Sequence, residues 1–549
     1  MRTIERRIGL LFAGFLLCFL VVIGRAAWLQ GVQGAQLASE AAYQQTEVAT
    51  VPGLRGSLLD RYGNPLAVSE DAATVYATPY QVKNPVKTAT ELARVLKMEK
   101  DEILESLTEE SGFAYVDKEV DLPTAARVER LELPGIGQLP ASKRSYPQGE
   151  MAGQTIGSVG TEGEGLTGLE LGEEGVLRGT NGERRVVKDA LGEPIRLDTV
   201  TEAEDGANVR TTLDPAIEKA TEEALGEVGE LWSPKGATAI VMNPRNSQVL
   251  AMANWPPVDP TDLEVEPEYL MNRATGFTYE PGSTFKAFTV SAALEEGIVT
   301  PTTTFTLPPA LQVADRTIED AEERGTVTLS VAEILAHSSN VGAVTIGLEL
   351  GAEKFSKWIN RFGFGRPTGI EFPGEEQGLV PTLDEYSGST MGNLPMGQGL
   401  SVTPIQMMAG YAAIANGGIL KRPQLIEDVG GEPVHEPKGH RVISAGVAAE
   451  VREMLEGVLA PGGTASEVSV PGYALAGKTG TAQVAENGTY SKTKYIASFI
   501  GFAPAQDPQL LVAVIVDEPH GEIYGGSVAA PAFGKIAEFA LPYLGVPPE

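Results

Sequence analysis

Ser283-Thr284-Phe285-Lys286 places a hydroxyl and an amine three residues apart. On a helix that spacing puts both on one face. A serine hydroxyl is a weak nucleophile until a base accepts its proton. A lysine can be that base if burial or a nearby cation lowers its pKa from about 10.4 towards neutrality. The surroundings offer burial: Pro281-Gly282 make a turn, and Phe285, Ala287, Phe288, Val290, Ala292, Ala293 and Leu294 follow. A helix opening at the serine also aims a backbone N–H at any oxyanion formed there. Alone, S-x-x-K arises by chance about once in a few hundred residues. A capping serine beside a surface lysine spells the same letters.

Two further clusters bear on that choice. Ser338-Ser339-Asn340 falls between two apolar helical stretches. Ser338 could relay a proton, and Asn340 could hydrogen-bond Lys286 or a substrate amide. A plain helix cap is the alternative, since Ser and Asn favour caps. The other cluster lies in residues 472–479, which fit G-x-x-x-x-G-K-T, the pattern of a phosphate-cradling loop. Such a loop must leave a strand and open a helix whose N-terminus meets phosphate. Here Tyr473-Ala474-Leu475-Ala476 reads as strand, Gly480 disfavours a helix, and a turn is predicted at Asn487-Gly488. Lys478 is therefore expected on a strand. The other reading of Lys478-Thr479-Gly480-Thr481 is a site of acyl transfer that handles a carboxylate.

These groups need a scaffold. Asp214 and Pro215 mark a helix start, as N-cap and first helical residue, with the helix running through 225. Apolar runs at 237–242 and 248–253 flank Asn243-Pro244-Arg245-Asn246-Ser247 and read as a β-hairpin. Runs at 473–484, 495–502 and 510–516 are joined by short connections, which implies antiparallel neighbours. Helices are expected at 284–294 closed by Gly297, at 331–336, and at 352–362 closed by Gly363. The fold class is α+β: an antiparallel sheet of about five strands with a large helical insertion. Thr201-Glu202-Ala203-Glu204-Asp205-Gly206 marks a boundary. The expected domains are 1–30, 31–205 and 206–549.

Residues 8–24 carry no charge and follow Arg2, Arg6 and Arg7. They read as a single membrane span with its N-terminus in the cytoplasm and the remainder outside. A cleaved signal peptide is the alternative, but its apolar core is usually shorter, and Arg25-Ala26-Ala27-Trp28 is a poor cleavage site. ATP and GTP are cytoplasmic fuels, so this topology also argues against a phosphate loop. Among 549 residues the net charge is −31, which excludes a nucleic-acid partner. With one cysteine and four histidines, and no H-x-x-x-H, no metal and no cofactor are expected.

The order Ser-x-x-Lys, Ser-x-Asn, Lys-Thr-Gly-Thr is the motif set of penicillin-binding proteins and class A β-lactamases. The chain resembles the penicillin-binding, active-site-serine transpeptidases over nearly its whole length. Arg55-Gly56-Ser57-Leu58-Leu59-Asp60-Arg61-Tyr62-Gly63-Asn64-Pro65-Leu66-Ala67 resembles the opening motif of the class B members, with Tyr62 where Asn is more usual. Arg144-Ser145-Tyr146-Pro147 and Gly165-Leu166-Thr167-Gly168-Leu169-Glu170 resemble further motifs of their elongated, mixed, non-catalytic pedestal, a dimerisation-type domain. Tyr279-Glu280-Pro281-Gly282, Ser338-Ser339-Asn340-Val341-Gly342 and Tyr524-Gly525-Gly526 are similar to the division-type (FtsI) members. An elongation-type enzyme or an inactive division scaffold are the alternatives.

The resemblance implies roles. Ser283 would attack the penultimate D-alanine carbonyl of a peptidoglycan stem peptide ending in D-Ala-D-Ala. Lys286 would take its proton, though which group is the acylation base stays open. Ser338 and Asn340 would organise proton transfer and substrate. Lys478 would supply positive field, while Thr479, Gly480 and Thr481 would bind the terminal carboxylate. Backbone N–H groups of Ser283 and Thr481 would form the oxyanion hole. The implied partners are stem peptides, β-lactams as covalent inhibitors, a membrane glycosyltransferase and other division proteins.

Overall fold

The structure is a computed structural model that describes residues 2–33, 46–188, 194–486 and 489–548. The turn expected at Asn487-Gly488 lies outside the described residues. Helix α1 spans Arg2–Gly31. Its Ile4–Gly31 stretch has mean hydropathy 2.4, and none of its apolar window is buried by the rest of the chain. At about 1.5 Å per residue it exceeds the roughly 30 Å of a bilayer core. An apolar helix without protein partners fits a single-pass membrane anchor.

The chain splits into two compact units. One gathers Met1–Leu54, Asp71–Lys143 and Gly179–Gly206. In it the antiparallel strands Thr46–Val51, Gly182–Lys188 and Pro194–Thr201 pair in that order. Residues 72–77 pair with Ala114–Asp121, and helices Pro85–Leu96, Lys100–Thr108 and Leu122–Glu129 supply its core through Leu92, Ile103, Leu107 and Val128. Asn84 caps the first of these by accepting the Lys87 N–H, ahead of Pro85.

The other unit gathers Arg55–Glu70, Arg144–Arg178 and Ala207–Glu549. The stretch 31–205 is thus not one compact body. Residues 55–70 and 144–178 pack with the motif-bearing part of the chain. A buried ion-pair cluster binds these two stretches together. Arg55 Nε and Arg144 Nε donate to the two oxygens of Glu170 at 2.6 and 2.8 Å, and Arg55 Nη1 reaches Glu174 at 2.5 Å. Glu170 is fully buried, and both its carboxylate oxygens are paired with a guanidinium group.

The central sheet has five strands: β1 Gly236–Asn243, β2 Gln248–Trp255, β3 Ala476–Glu486, β4 Thr489–Ala503 and β5 Leu510–Asp517. They are antiparallel throughout, in the order β2-β1-β5-β4-β3. β5 is central and buried on both faces, which explains its unbroken apolar sequence. Leu511, Ala513 and Ile515 face one apolar cluster; Val512, Val514 and Val516 face another. Helices α2 Pro215–Trp232 and α7 Ala530–Tyr543 cover the second face, through residues such as Leu225, Val228, Phe533 and Leu541. The first face meets α3 Lys286–Glu295 and α6 Pro404–Ala415. Every residue of α6 is buried. Between α3 and α6 lie α4 Val331–Ala336 and α5 Asn340–Leu350. Asp214 caps α2 by accepting the Ala216 and Ile217 N–H groups. The helix outruns the expected end at 225 because apolar residues recur at helical spacing as far as Val228. Among the described residues β3 is a margin of the sheet, with β4 on one side only.

The opposite margin, β2, is closed by side chains. The Met252 N–H donates to Glu218 Oε2 at 2.7 Å, and Thr155 Oγ1 donates to the Met252 carbonyl at 2.9 Å. One turn along α2, Glu222 accepts the Ala152 N–H at 2.7 Å. Burial, then the charge of Glu222, pushes Glu218 well above the usual carboxylate range. Burial pushes Glu222 up to about 7, against the Ala152 N–H, which favours the ionised form. The folded state therefore keeps protons that the unfolded chain releases between the ordinary glutamate value and about pH 7. Stability is expected to fall as pH rises through that window. Glu222→Gln keeps an acceptor for Ala152 and removes the titration. It is expected to raise stability by roughly 1–3 kcal/mol at pH 8 and by little near pH 4.5, read from denaturant midpoints. An equal gain at both pH values would refute the assignment.

Candidate active site

The turn around Ser283 is built by its neighbours. Gly282 has φ +54° and donates its N–H to the Gly397 carbonyl at 2.9 Å. Thr284 Oγ1 bonds back to the Pro281 carbonyl at 2.7 Å. The buried Tyr411 hydroxyl, from α6, donates to the Thr284 carbonyl at 2.7 Å. Residues Gly282–Phe285 form a 3-10 turn, and the α-helix proper starts at Lys286 rather than at the serine. In a 3-10 turn residues i and i+3 eclipse. Ser283 and Lys286 are thus aligned more directly than an α-helix would align them. The Lys286 N–H closes the turn on the Ser283 carbonyl.

Lys286 is completely buried. Its ammonium donates to the Ser338 carbonyl at 2.5 Å, to Asn340 Oδ1 at 2.7 Å and to Ser338 Oγ at 3.3 Å. The Ser283 hydroxyl is not among these partners. Burial lowers the Lys286 pKa to about 7, and the charge of Asp320 offsets part of that fall. Near neutrality the group therefore exists as both amine and ammonium.

Ser338 lies between α4 and α5 with φ +58°. It occupies the left-handed position after a helix that glycine usually takes, while Ser339 N–H closes on the Ile334 carbonyl at 3.0 Å. A left-handed non-glycine residue costs about 1–2 kcal/mol. The conformation turns both the carbonyl and the hydroxyl of Ser338 onto Lys286. Ser339 caps α5, accepting the Gly342 N–H at 3.0 Å. Ser339 thus caps a helix while Ser338 and Asn340 bond the Lys286 ammonium. Asn340 uses both ends of its amide, since Nδ2 donates to the Glu319 carbonyl at 2.9 Å.

Lys478, Thr479, Gly480 and Thr481 lie on β3, a strand, as expected. Lys478 is fully buried, and its pKa is held well below the ordinary lysine value by burial and then by the charge of Lys286. The two lysines therefore face a common electrostatic site. Thr479 Oγ1 meets Thr464 Oγ1 at 2.6 Å, and Thr481 Oγ1 accepts the Gly525 N–H at 3.2 Å. Gly480 sets the approach of the strand to the turn that holds Ser283. A Cβ there would lie 2.3 Å from Ser498 Oγ, 3.0 Å from Thr284 Cγ2 and 3.1 Å from the Pro281 carbonyl. From the other side, a Cβ on Gly282 would lie 3.2 Å from Ala482 Cβ.

Lys286, Ser338 and Asn340 thus meet around one ammonium, with Ser283 one 3-10 turn before the lysine and the Lys478–Thr481 strand packed against the same turn. Asp320, Thr464 and Tyr411 also shape the site and escaped the sequence reading. They are joined to it only by chain closure, and no spacing announces them.

Residues 237–538 match the family described as the penicillin binding protein transpeptidase domain, and residues 50–211 match the penicillin-binding protein dimerisation domain. The chain belongs to the class B penicillin-binding proteins. This is a family of peptidoglycan D,D-transpeptidases. Over its full length this penicillin-binding protein is 36% identical to stage V sporulation protein D of Bacillus subtilis, of which 87% is covered. It is 32% identical, again over its full length, to the peptidoglycan D,D-transpeptidase FtsI of Escherichia coli K12, covering 93% of that protein. Among solved structures, penicillin binding protein 3 of Mycobacterium tuberculosis in complex with aztreonam matches with a TM-score of 0.72 and 29% identity. That match covers 92% of this chain and 98% of the other. The family supplies the frame for the pedestal motifs around Arg55, Arg144 and Glu170, which the structure joins in one buried ion-pair cluster.

Proposed function

We propose that this chain cross-links peptidoglycan stem peptides through an acyl-enzyme on Ser283. The observation that carries this reading is Lys286: a buried amine with a pKa near neutrality, held by Ser338 and Asn340, three residues from the serine. Ser283 Oγ attacks the penultimate D-alanine carbonyl as its proton passes to the amine of Lys286. The tetrahedral oxyanion is received by the backbone N–H groups of Ser283 and Thr481; one such donor is typically worth about 10²–10³ in rate. Collapse expels the terminal D-alanine, which takes a proton by way of Ser338. An amine of a second stem peptide then attacks the ester, loses a proton and restores Ser283. Lys478, Thr479 and Thr481 hold the terminal carboxylate, and β3 offers an extended peptide an unpaired strand margin. A β-lactam presents the same carbonyl and carboxylate, and its opened ring leaves Ser283 acylated.

Intact-protein mass after incubation with benzylpenicillin, followed by peptide mapping, tests this. One persistent adduct on Ser283 is expected. Folded protein without an adduct would overturn the acyl-serine reading, and rapid turnover of penicillin would favour a hydrolase. We place the chain outside the cytoplasmic membrane, anchored by α1, in septal wall synthesis beside a glycosyltransferase and other division proteins. The 32% identity to FtsI supports this. The 36% identity to a sporulation protein favours a second reading, wall synthesis during sporulation. Normal division in cells depleted of this protein would remove the first.

A further inference from the structure

We infer that Glu280, Arg316 and Tyr490 form a subsite for the stem-peptide residue that precedes D-Ala-D-Ala, taking a side chain that ends in an ammonium and a carboxylate on one carbon. This deepens the acyl-serine reading and rests on it. Glu280 lies three residues before Ser283. Its Oε1 accepts the Gly399 N–H at 3.1 Å and the Tyr490 hydroxyl at 3.2 Å. Its Oε2 is buried and has no hydrogen-bond partner among the described residues. Tyr490 stands near the start of β4, and the guanidinium of Arg316 lies over its ring, 5.5 Å from the centroid. Arg316 belongs to a hairpin formed by Ala310–Val313 and Arg316–Glu319. Among the described residues its guanidinium makes no hydrogen bond and no ion pair. Tyr490 thus touches a carboxylate with one unpaired oxygen and an unpaired cation, and the two charges do not pair with each other.

That pair of groups matches the two charges of an amino-acid end. An ammonium donates to Glu280 Oε2, and a carboxylate on the same carbon accepts from the fork of Arg316. A buried carboxylate oxygen without a donor is costly. Burial accordingly raises the Glu280 pKa, against the Gly399 N–H, Tyr490 and Arg316. An arriving ammonium offsets that cost. Glu280 is half-buried as a residue, so a small side-chain movement admits the ligand. The strand leads the peptide there. β3 is buried from Ala476 to Gly480 and reaches the surface at Ala485 and Glu486. A peptide with its terminal carboxylate at Thr479 and Thr481 therefore extends towards Ala485, which pairs with Tyr490. From Thr481 to Ala485 is about 13 Å at roughly 3.3 Å per residue; two extended peptide residues cover about half of it and a long side chain the rest.

The test is the second-order rate of Ser283 acylation by three penicillins with side chains of equal length. One ends in an ammonium and a carboxylate on one carbon, one in the ammonium alone, one in the carboxylate alone. The full chain is used in detergent, with thermal midpoints on the same samples. Each rate is divided by that variant's rate with benzylpenicillin, which lacks both charges on its side chain. The wild type is expected to react with the doubly charged compound about tenfold faster than with either of the others, the worth of one charge-assisted contact. Arg316→Gln is expected to erase the advantage over the ammonium-only compound, and Arg316→Lys to restore part of it. Glu280→Gln is expected to erase the advantage over the carboxylate-only compound. The Arg316 variants keep the test open if Glu280→Gln does not fold. A wild-type preference below about threefold, or one that survives in both glutamine variants, would overturn the subsite alone. A wild type that forms no adduct with any penicillin would overturn the acyl-serine reading and this one with it.

Discussion

Ser283→Ala is expected to abolish the covalent penicillin adduct and to reduce cross-linking by roughly 10⁴–10⁶-fold. The physical case is that nothing else in the site can form the acyl bond. Lys286 and Lys478 are buried, and Ser338 is turned onto the Lys286 ammonium. The substitution is also clean. Ser283 is not a partner of Lys286, so alanine leaves the bonds from Lys286 to Ser338 and Asn340 in place. Stability is expected to change by no more than about 0.5 kcal/mol. Mass spectrometry and a cross-linking assay on matched protein check both halves. Cross-linking within tenfold of the wild type would require a different nucleophile.

Lys286→Met is expected to slow acylation by about 10²–10⁴-fold, the usual worth of a positioned base. Methionine keeps an unbranched chain of similar length but has no amine. The Ser338 carbonyl and Asn340 Oδ1 lose their donor, at about 1–3 kcal/mol for each group left unpaired. The wild type, however, holds an ammonium away from water, and the variant is spared that cost. The pH dependence separates a chemical role from a structural one. With the Lys286 pKa at about 7, wild-type acylation should climb to a plateau just above neutrality. The variant should lose that limb. Stability offers an independent check. The folded pKa lies below the unfolded one, so the unfolded chain binds more protons between about pH 7 and the ordinary lysine value. This group makes stability rise with pH there, opposite in sign to Glu222, and Lys286→Met should flatten the rise. A variant acylating within tenfold of the wild type, with its limb intact, would move the base role to another group.

The parts of this protein that could be read in sequence are those whose causes are local. β5 shows as an apolar run because both its faces are covered, and α2 announces itself by Asp214-Pro215. Ser283 and Lys286 are legible because one helical turn joins them. α6 is the counterexample. Buried on every side, it has no polar face and so no periodicity to detect. The Ser338 geometry depends on a left-handed serine, a position where glycine would be the usual signal. Asp320 and Thr464 reach the site from 19 and 15 residues away along the chain, through contacts that only the closed fold creates. The same holds for the expected pedestal. Arg55 and Glu170 lie 115 residues apart, and no local pattern shows that they would bind each other and draw their segments into the catalytic unit.

β3 carries the Lys-Thr-Gly-Thr motif on the sheet's margin, with β4 along one side only. Most proteins shield such a margin, because its unpaired N–H and C=O groups will zip onto any extended chain. An enzyme that reads its substrate there reads main chain more than side chain. That changes the terms on which drug resistance can arise. If the strand reads the peptide as proposed, substituting any side chain on it other than to proline leaves the row of amides in place. Under the proposed function, and besides the side chains of Lys478, Thr479 and Thr481, escape from a β-lactam has a route through the strand's curvature and its distance from Ser283. Those are properties of the glycines and of the segments packed behind them, and surveillance for resistance should look there as well as at the motif itself.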